Sequence, residues 1–314
     1  MRKTLSENTD LKISMKNRKK KIRKVVIPVA GLGTRMLPAT KAIPKEMLPI
    51  VNKPIIQHIF EEIIYAGFEE IILVTHSSKY SIENHFDKSF ELEATLEKRV
   101  KRGLLKEIRA ISKLNITMQS IRQGQTMGLG HAILCAKKIV GKEPFAIVLP
   151  DMLISKKNGN NGDSLKEMRL SFEKDEISSI LLGKAKKADI PKYGIAQIKK
   201  NTKLHGLGEI TKIIEKPAIK KAPSNFYAVG RYIFNNNFFR YLSKAKPDKS
   251  NEIQLTDAID MYIKDDNRVS AFPLEGHIFD CGDNAEYILA NIEFAMKDPY
   301  IKSKIKNFLK KKLV

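Results

Sequence analysis

Val25-Val26-Ile27-Pro28-Val29-Ala30-Gly31-Leu32-Gly33-Thr34-Arg35 is the stretch that decides the fold. Six apolar residues in a row predict a strand buried on both faces, as in parallel sheets covered by helices. The run breaks directly into glycines. Glycines after a buried strand let backbone N–H groups approach a phosphate, and Arg35 adds a bidentate clamp. Outward from there, a proline-punctuated loop leads to Lys53-Pro54. Ile55, Ile56, Ile59, Phe60, Ile63 and Ile64 then recur at helical spacing, with Glu61 and Glu62 facing out and Gly67 as the stop. Residues 71–75 predict the next strand. The pattern returns as a strand at 116–119, a helix at 129–138 and a strand at 145–149. Such alternation predicts an α/β chain with a mainly parallel, doubly wound sheet. Residues from about 177 to 234 predict short strands separated by turns, and helical patterns return at 253–263 and 285–296. Residues 155–164, rich in Asn, Gly and Lys, predict a mobile surface insertion.

With 314 residues, 42% hydrophobic and 29% charged, the composition is globular rather than disordered or fibrous. No stretch approaches the roughly 20 apolar residues of a spanning helix, and no secretory h-region follows the basic start. Only Cys135 and Cys281 occur, too few for a disulfide scaffold or a cysteine zinc site, so a cytoplasmic protein is expected. The formal charge of +22 raises nucleic acid as a partner. Its location argues against that. Residues 1–24 hold +8 and residues 297–314 hold +6, leaving +8 for the body between them. Both ends are expected to be solvated basic tails, flexible at the N-terminus. No aromatic residue precedes Phe60, so a stacking platform for single strands is missing there.

In open α/β sheets, ligands bind beyond the carboxyl ends of the strands. That rule picks out the loop from Gly31, the loop from Gln123, and Asp151. The first is neither a Walker A loop nor the dinucleotide fingerprint: no Gly-Lys-Ser/Thr closes it, and Met36 stands where a third glycine would be. Lys45, held in Pro44-Lys45-Glu46-Met47-Leu48-Pro49, strengthens the phosphate reading over a plain tight turn. The Gln123 carboxamide presents a donor and an acceptor side by side, matching the N3–H and O4 edge of uracil or thymine and mismatching cytosine. Gly128, at a helix start, would let the base lie against backbone. Asp151 and Asp280 follow strands; each alone reads equally as a turn or cap, but as a pair near a polyphosphate they form a Mg²⁺ site. Glu215-Lys216 after a hydrophobic strand suits sugar hydroxyls and a phosphate, or else an exposed charged turn. There is no Gly-x-Ser-x-Gly elbow, no His-Glu-x-x-His, and no ligand spacing among the six histidines.

Residues 30–35 with 44–49 resemble the signature of sugar-nucleotide pyrophosphorylases. Val74-Thr75-His76-Ser77-Ser78-Lys79, Ile82-Glu83-Asn84-His85-Phe86-Asp87 and Asn251-Glu252-Ile253-Gln254-Leu255-Thr256-Asp257-Ala258-Ile259-Asp260 narrow the resemblance to the bacterial UTP–glucose-1-phosphate uridylyltransferases. It spans about residues 22–296. It implies a Rossmann-like three-layer α/β/α nucleotidyltransferase fold, with a nucleotide-binding part at about 25–176 and a smaller β-rich sugar-binding part at about 177–296. It implies UDP-glucose and pyrophosphate made from UTP and glucose 1-phosphate with Mg²⁺ in a homo-oligomer that provides a cell-envelope polysaccharide precursor. Ala30, Gly31, Leu32, Gly33 and Thr34, with Gln123 and Gly128, would then hold the nucleotide. Arg35 and Lys45 would hold the triphosphate and leaving pyrophosphate, and Asp151 and Asp280 the metal. Gly194, Glu215, Val229 and Gly230 would line the glucose pocket, with Lys216 on the sugar phosphate. A catalytically silent regulatory relative and a thymidylyltransferase remain as alternatives. Thr34 and Arg35, present here, favour a working enzyme, whereas Gln123 does not separate uracil from thymine.

Overall fold

The computed structural model describes residues 21–201 and 204–312. Strand β1 (Lys24–Pro28) carries Val25 and Ile27 toward one core and Val26 toward another, so the chain is covered on both faces from its first strand. A small antiparallel turn, β2 (Pro49–Ile50) with β3 (Lys53–Pro54), leads into α1 (Ile55–Tyr65) and then β4 (Glu70–Thr75). Three helices follow, α2 (Tyr80–Phe86), α3 (Phe90–Lys98) and α4 (Arg102–Ser112), before β5 (Thr117–Arg122). Next come α5 (Gly128–Cys135), α6 (Lys137–Val140), β6 (Phe145–Val148), β7 (Met152–Ser155) and α7 (Asp163–Asp175). Strands β8 (Ser178–Lys184), β9 (Gly194–Lys199), β10 (Gly208–Glu215) and β11 (Phe226–Phe234) make up the β-rich stretch. The chain then runs through α8 (Phe238–Leu242), α9 (Leu255–Lys264), β12 (Val269–Pro273), β13 (His277–Asp280), α10 (Asn284–Ala295) and α11 (Pro299–Lys312).

Nine strands form one sheet in the order β5-β4-β1-β6-β11-β8-β12-β10-β9. Following the pairings across it, β10 and β11 alone run against the other seven, which gives the mainly parallel mixed sheet that the alternation implied. The far end curls: β9 pairs also with the start of β11 through Ala196 and Ile195. The two cores define three layers. Val25, Ile27, Ile71 and Leu73 meet Ile59, Phe60 and Ile63 of α1 and Leu165, Met168 and Phe172 of α7. Val26, Ile72 and Val74 meet Ile133 of α5, Phe238 of α8 and Leu255 and Ile259 of α9.

The structure departs from the sequence reading in several places. Order begins before Val25: Ile22 is wholly buried, Lys24 reaches the carbonyls of Ile139 and Val140, and Lys21 and Arg23 pair with Glu69 and Glu143. Cations that read as a tail are thus matched to acids on the body; residues 1–20 lie outside the described residues. The stretch at 155–164 is an exposed loop only over 157–160, and its ends are anchored. Ser155 ends β7 and is buried, Asp163 starts α7, and Lys156 is pinned by Asp163 and Glu275. Glu62 does not face out: its carboxylate is buried against Arg231 on β11. At the other end, α11 is a helix with no buried residue, and 313–314 lie outside the described residues. No helix among the described residues is long and apolar enough to cross a membrane.

Candidate active site

The parallel strands β1, β4, β5 and β6 all point their carboxyl ends to one side, and the loops there line two adjoining cavities. One, of about 450 Å³, is lined by Ala30, Gly31, Leu32, Thr34, Gln123 and Gly128. The other, of about 700 Å³, is lined by Arg35, Gly194, Glu215, Lys216, Asp280 and the Tyr193 ring, among others. Lys45, Leu129, Leu149, Asp151 and Glu252 belong to both walls. Segments more than a hundred residues apart in the chain therefore meet at Asp151.

Asp151 and Asp280 are brought together by a ribbon outside the main sheet. β7 pairs antiparallel with β13, placing Asp280 opposite Met152, while Cys281 N–H donates to the Asp151 carbonyl at 2.8 Å. Both carboxylates face the larger cavity, and each has a cation. Lys45 Nζ lies 2.5 Å from Asp151 Oδ2, and Arg35 Nη1 lies 3.1 Å from Asp280 Oδ2. Burial disfavours the Asp151 anion, yet Lys45 outweighs it and holds the carboxyl below the usual range. Burial likewise works against the Lys45 charge, and Asp151 with Glu46 holds that pKa above the ordinary lysine value. For Arg35 the balance is the same: desolvation is overcome by Asp280, Asp151 and Asp283. The cleft thus keeps Asp151 and Lys45 charged with little solvent around them, beside a more exposed Arg35 paired with Asp280, which suits a polyanionic ligand with a counter-ion.

Oxygen donors from two neighbouring acids match what Mg²⁺ takes from protein when phosphate and water complete its shell. No group of three or more His, Cys, Asp and Glu among the described residues could replace them with a zinc-type site. Local backbone explains the rest. Gly33 sits at φ +70 with its Cβ position 3.3 Å from Lys45 Cβ, so the glycine lets the loop turn beside that lysine. Gly194 is backed by Thr256 and Glu215, and Thr256 Oγ1 donates to Glu215 Oε2 at 3.1 Å, fixing that carboxylate. Lys216 follows at φ +41, a conformation a lysine adopts at a cost, and its side chain extends into solvent at the cavity rim.

Two expectations shift. Val229 and Gly230 are not among the walls of the larger cavity: Val229 is wholly buried in the core and Gly230 lies against Leu149, while Ala228 and Tyr232 take the wall. Val229 shares one core face of β11 with Tyr227 and Ile233, while Ala228 and Tyr232 share the other, and the register shift between Ala228 and Tyr232 leaves that alternation intact. Gln123 lines the smaller cavity, but its NH₂ already meets Gly128 O at 3.2 Å and His131 Nδ1 at 3.0 Å. The donor half of the expected base contact is engaged within the protein. Sequence reasoning missed Gly282, whose absent Cβ leaves room for the Arg35 guanidinium, and Glu252, which spans both cavities. The Asp280-Cys281-Gly282 spacing was the only available signal for the former. Sequence reasoning also missed Glu46, whose buried carboxylate bonds the buried Lys79 at 2.7 Å and so seats the Lys45 turn.

A family model of nucleotidyl transferases matches residues 24–296. A UTP–glucose-1-phosphate uridylyltransferase of Haemophilus ducreyi is 50% identical over 276 residues, 87% of this chain and 93% of that protein. Its Escherichia coli namesake is 46% identical over 93% of this chain and 97% of its own length. Among solved structures, a UTP-bound UGPase from Acinetobacter baumannii superposes with a TM-score of 0.82 at 41% identity, over 92% of this chain and 98% of that one.

Proposed function

The chain belongs to the nucleotidyl transferase family, within the group of UTP–glucose-1-phosphate uridylyltransferases, and on that premise we propose that its cleft joins UTP to α-D-glucose 1-phosphate, releasing pyrophosphate and UDP-glucose. The observation that carries the reading is the meeting of two cavities at Asp151 and Lys45, one beside Gln123 and Gly128, the other beside Glu215 and Lys216. A base and ribose fit the first, a hexose phosphate the second, and the junction is where the α-phosphorus must sit.

The attacking atom is a phosphate oxygen of glucose 1-phosphate, already anionic at neutral pH, so no protein base is needed. The barrier is the approach of one polyanion to another. Lys216 draws the sugar phosphate in, while Arg35 and Lys45 hold the UTP phosphates and the departing pyrophosphate in line. Asp151 and Asp280 supply the oxygen donors for Mg²⁺, and the ion, when bound, neutralises charge on phosphate oxygens near the reacting centre. Glu215, oriented by Thr256, accepts from sugar hydroxyls. Direct displacement predicts inversion at phosphorus and no covalent enzyme intermediate.

The test is pyrophosphate release from a nucleotide panel with glucose 1-phosphate, with and without Mg²⁺. UTP should be used well and only with the metal. Asp151→Asn and Lys216→Ala should each lower turnover by about 10²–10³-fold while the protein stays folded, the usual loss for one preorganised electrostatic contact. Turnover close to wild type in either variant would refute the assignment, and preferred use of dTTP would favour the thymidylyl alternative.

A further inference from the structure

The turn before α9 carries a polar network that the reaction as described leaves unused. Asp248 N–H donates to Glu252 O at 2.9 Å and Asn251 N–H to Asp248 O at 3.0 Å, closing residues 248–252 into a loop. Ile253 then docks on the start of α5: its N–H donates to Met127 O and its carbonyl accepts from Gly130 N–H, each at 2.8 Å. Gln254 is thereby fixed beside the larger cavity, which it lines, and takes no part in the smaller one. Its NH₂ has two partners, Asp248 Oδ2 at 2.9 Å and Glu252 Oε2 at 3.3 Å. The Gln254 amide and the backbone N–H groups of Glu252 and Ser250, with Lys216 nearby, hold the Asp248 carboxyl below the usual range, so it is an anion at neutral pH. A carboxylate only accepts, so the end of the carboxamide facing Asp248 must be the nitrogen. Gln254 Oε1 has no partner among the described residues, and solvent reaches it.

We propose that Gln254 is a specificity-determining residue for the sugar: oriented by Asp248, it offers Oε1 as an acceptor to one hydroxyl of the hexose. This deepens the uridylyl reading and rests on it. Glu215, turned by Thr256, stands on the wall of the same cavity, so two side chains there read hydroxyl donors. A sugar phosphate lacking the hydroxyl leaves Oε1 unpaired, and a site built to bond a hydroxyl rejects such an analogue. Turned the other way, the carboxamide would present N–H groups and take any acceptor. Asp248 forbids that orientation. It is absent from the cavity wall and acts through Gln254 as a positioning residue. Its second oxygen is committed as well: Oδ1 accepts from Ser250 N–H at 2.8 Å and Glu252 N–H at 3.1 Å. In Asp248→Asn the amide oxygen stays with those two N–H groups, the new NH₂ faces Gln254, and Gln254 must turn its own NH₂ toward the sugar.

The test measures kcat/KM, with UTP and Mg²⁺, for glucose 1-phosphate, its four monodeoxy analogues and their deoxyfluoro counterparts. The proteins are full-length wild type, Gln254→Met and Asp248→Asn. Each analogue is read as a ratio to glucose 1-phosphate in the same protein, so general damage to the fold cancels. In wild type the deoxy and the fluoro analogue at one position should be equally poor, because neither donates. Met keeps the length of Gln254 without its acceptor, and the penalty at that position alone should shrink by about tenfold, the worth of one hydrogen bond. In Asp248→Asn the fluoro analogue should outperform the deoxy analogue at that position by about threefold, since fluorine takes the N–H now offered. Penalties that stay unchanged in Gln254→Met, or shrink equally at all four positions, overturn the proposal. Fluoro and deoxy analogues that remain equal in Asp248→Asn overturn the role of Asp248. Should the wild type make no UDP-glucose from glucose 1-phosphate, the failure belongs to the uridylyl reading instead.

Discussion

Glu62→Gln is the perturbation whose size the structure defines best. Arg231 is wholly buried, and its guanidinium meets both Glu62 oxygens, through Nε at 2.8 Å and Nη2 at 2.7 Å. The remaining N–H groups reach the carbonyls of Leu149, at 3.3 Å, and Met152, at 2.8 Å. Those carbonyls bracket Pro150-Asp151, so the pair clasps the turn that carries the acid shared by both cavities. An amide in place of the carboxylate leaves the guanidinium uncompensated and sets an NH₂ against one of its donors. Breaking a buried pair on one side costs about 3–5 kcal/mol. With an unfolding entropy near 2.1 cal/mol/K per residue, a chain of 314 residues loses about 1.5 °C per kcal/mol, which puts the fall in Tm at roughly 5–8 °C. Calorimetry reads that shift. Activity below the transition should fall as well, since a displacement near 1 Å at a reacting centre can cost about 10²-fold. Replacing both partners by Met should recover part of the lost stability, because no lone charge is left behind. A Tm within 2 °C of wild type for Glu62→Gln would show that water or another group compensates Arg231, and the clasp argument would be wrong.

Gly128→Ala should raise the KM for UTP by tenfold or more with a smaller effect on kcat, measured by initial rates. The added Cβ would lie 2.8 Å from Glu252 Cβ and 3.0 Å from the Ile253 backbone, at φ +87 where a side chain is strained. If the KM is unchanged, the base does not lie against this backbone. Stability should also depend on pH through two histidines. Burial pushes the imidazoles of His58 and His85 below the ordinary value of 6.5. As pH falls below 6.5 the unfolded chain binds protons that the native rings refuse, so stability declines, whereas above 6.5 the two rings contribute no slope. The double variant His58→Gln/His85→Gln should show a shallower fall in Tm between pH 6.5 and 5 than wild type; equal slopes would contradict the assignment.

Legibility in the sequence followed the range of the interaction. The buried run before Gly31, the α1 periodicity and the acids after strands were readable because each is decided within a few residues. Asp151 and Asp280 could be suspected separately, yet what joins them is the β7–β13 pairing between segments over a hundred residues apart, which no local pattern encodes. Glu62 shows the same limit in reverse. It shares a helix face boundary with the exposed Glu61 side chain, and only Arg231 on β11 makes its burial tolerable. Val229 and Gly230 were placed by resemblance alone; Val229 keeps the parity of Tyr227 and Ile233 on the core face of β11. Helix α3, with no buried position, offers no period to read, whereas α4 was overlooked although Leu104, Leu105, Ile108 and Ile111 recur at helical spacing.

The late position of β13 has a consequence for biosynthesis. Ribosomes deliver the glycine loop, Lys45, Gln123 and Asp151 long before Asp280, and a chain halted anywhere ahead of residue 277 lacks the strand that closes the ribbon. A truncated product of that kind lacks Asp280 and the ion pair it makes with Arg35. The ribbon beside Asp151 can therefore form only after the chain has been made through residue 280.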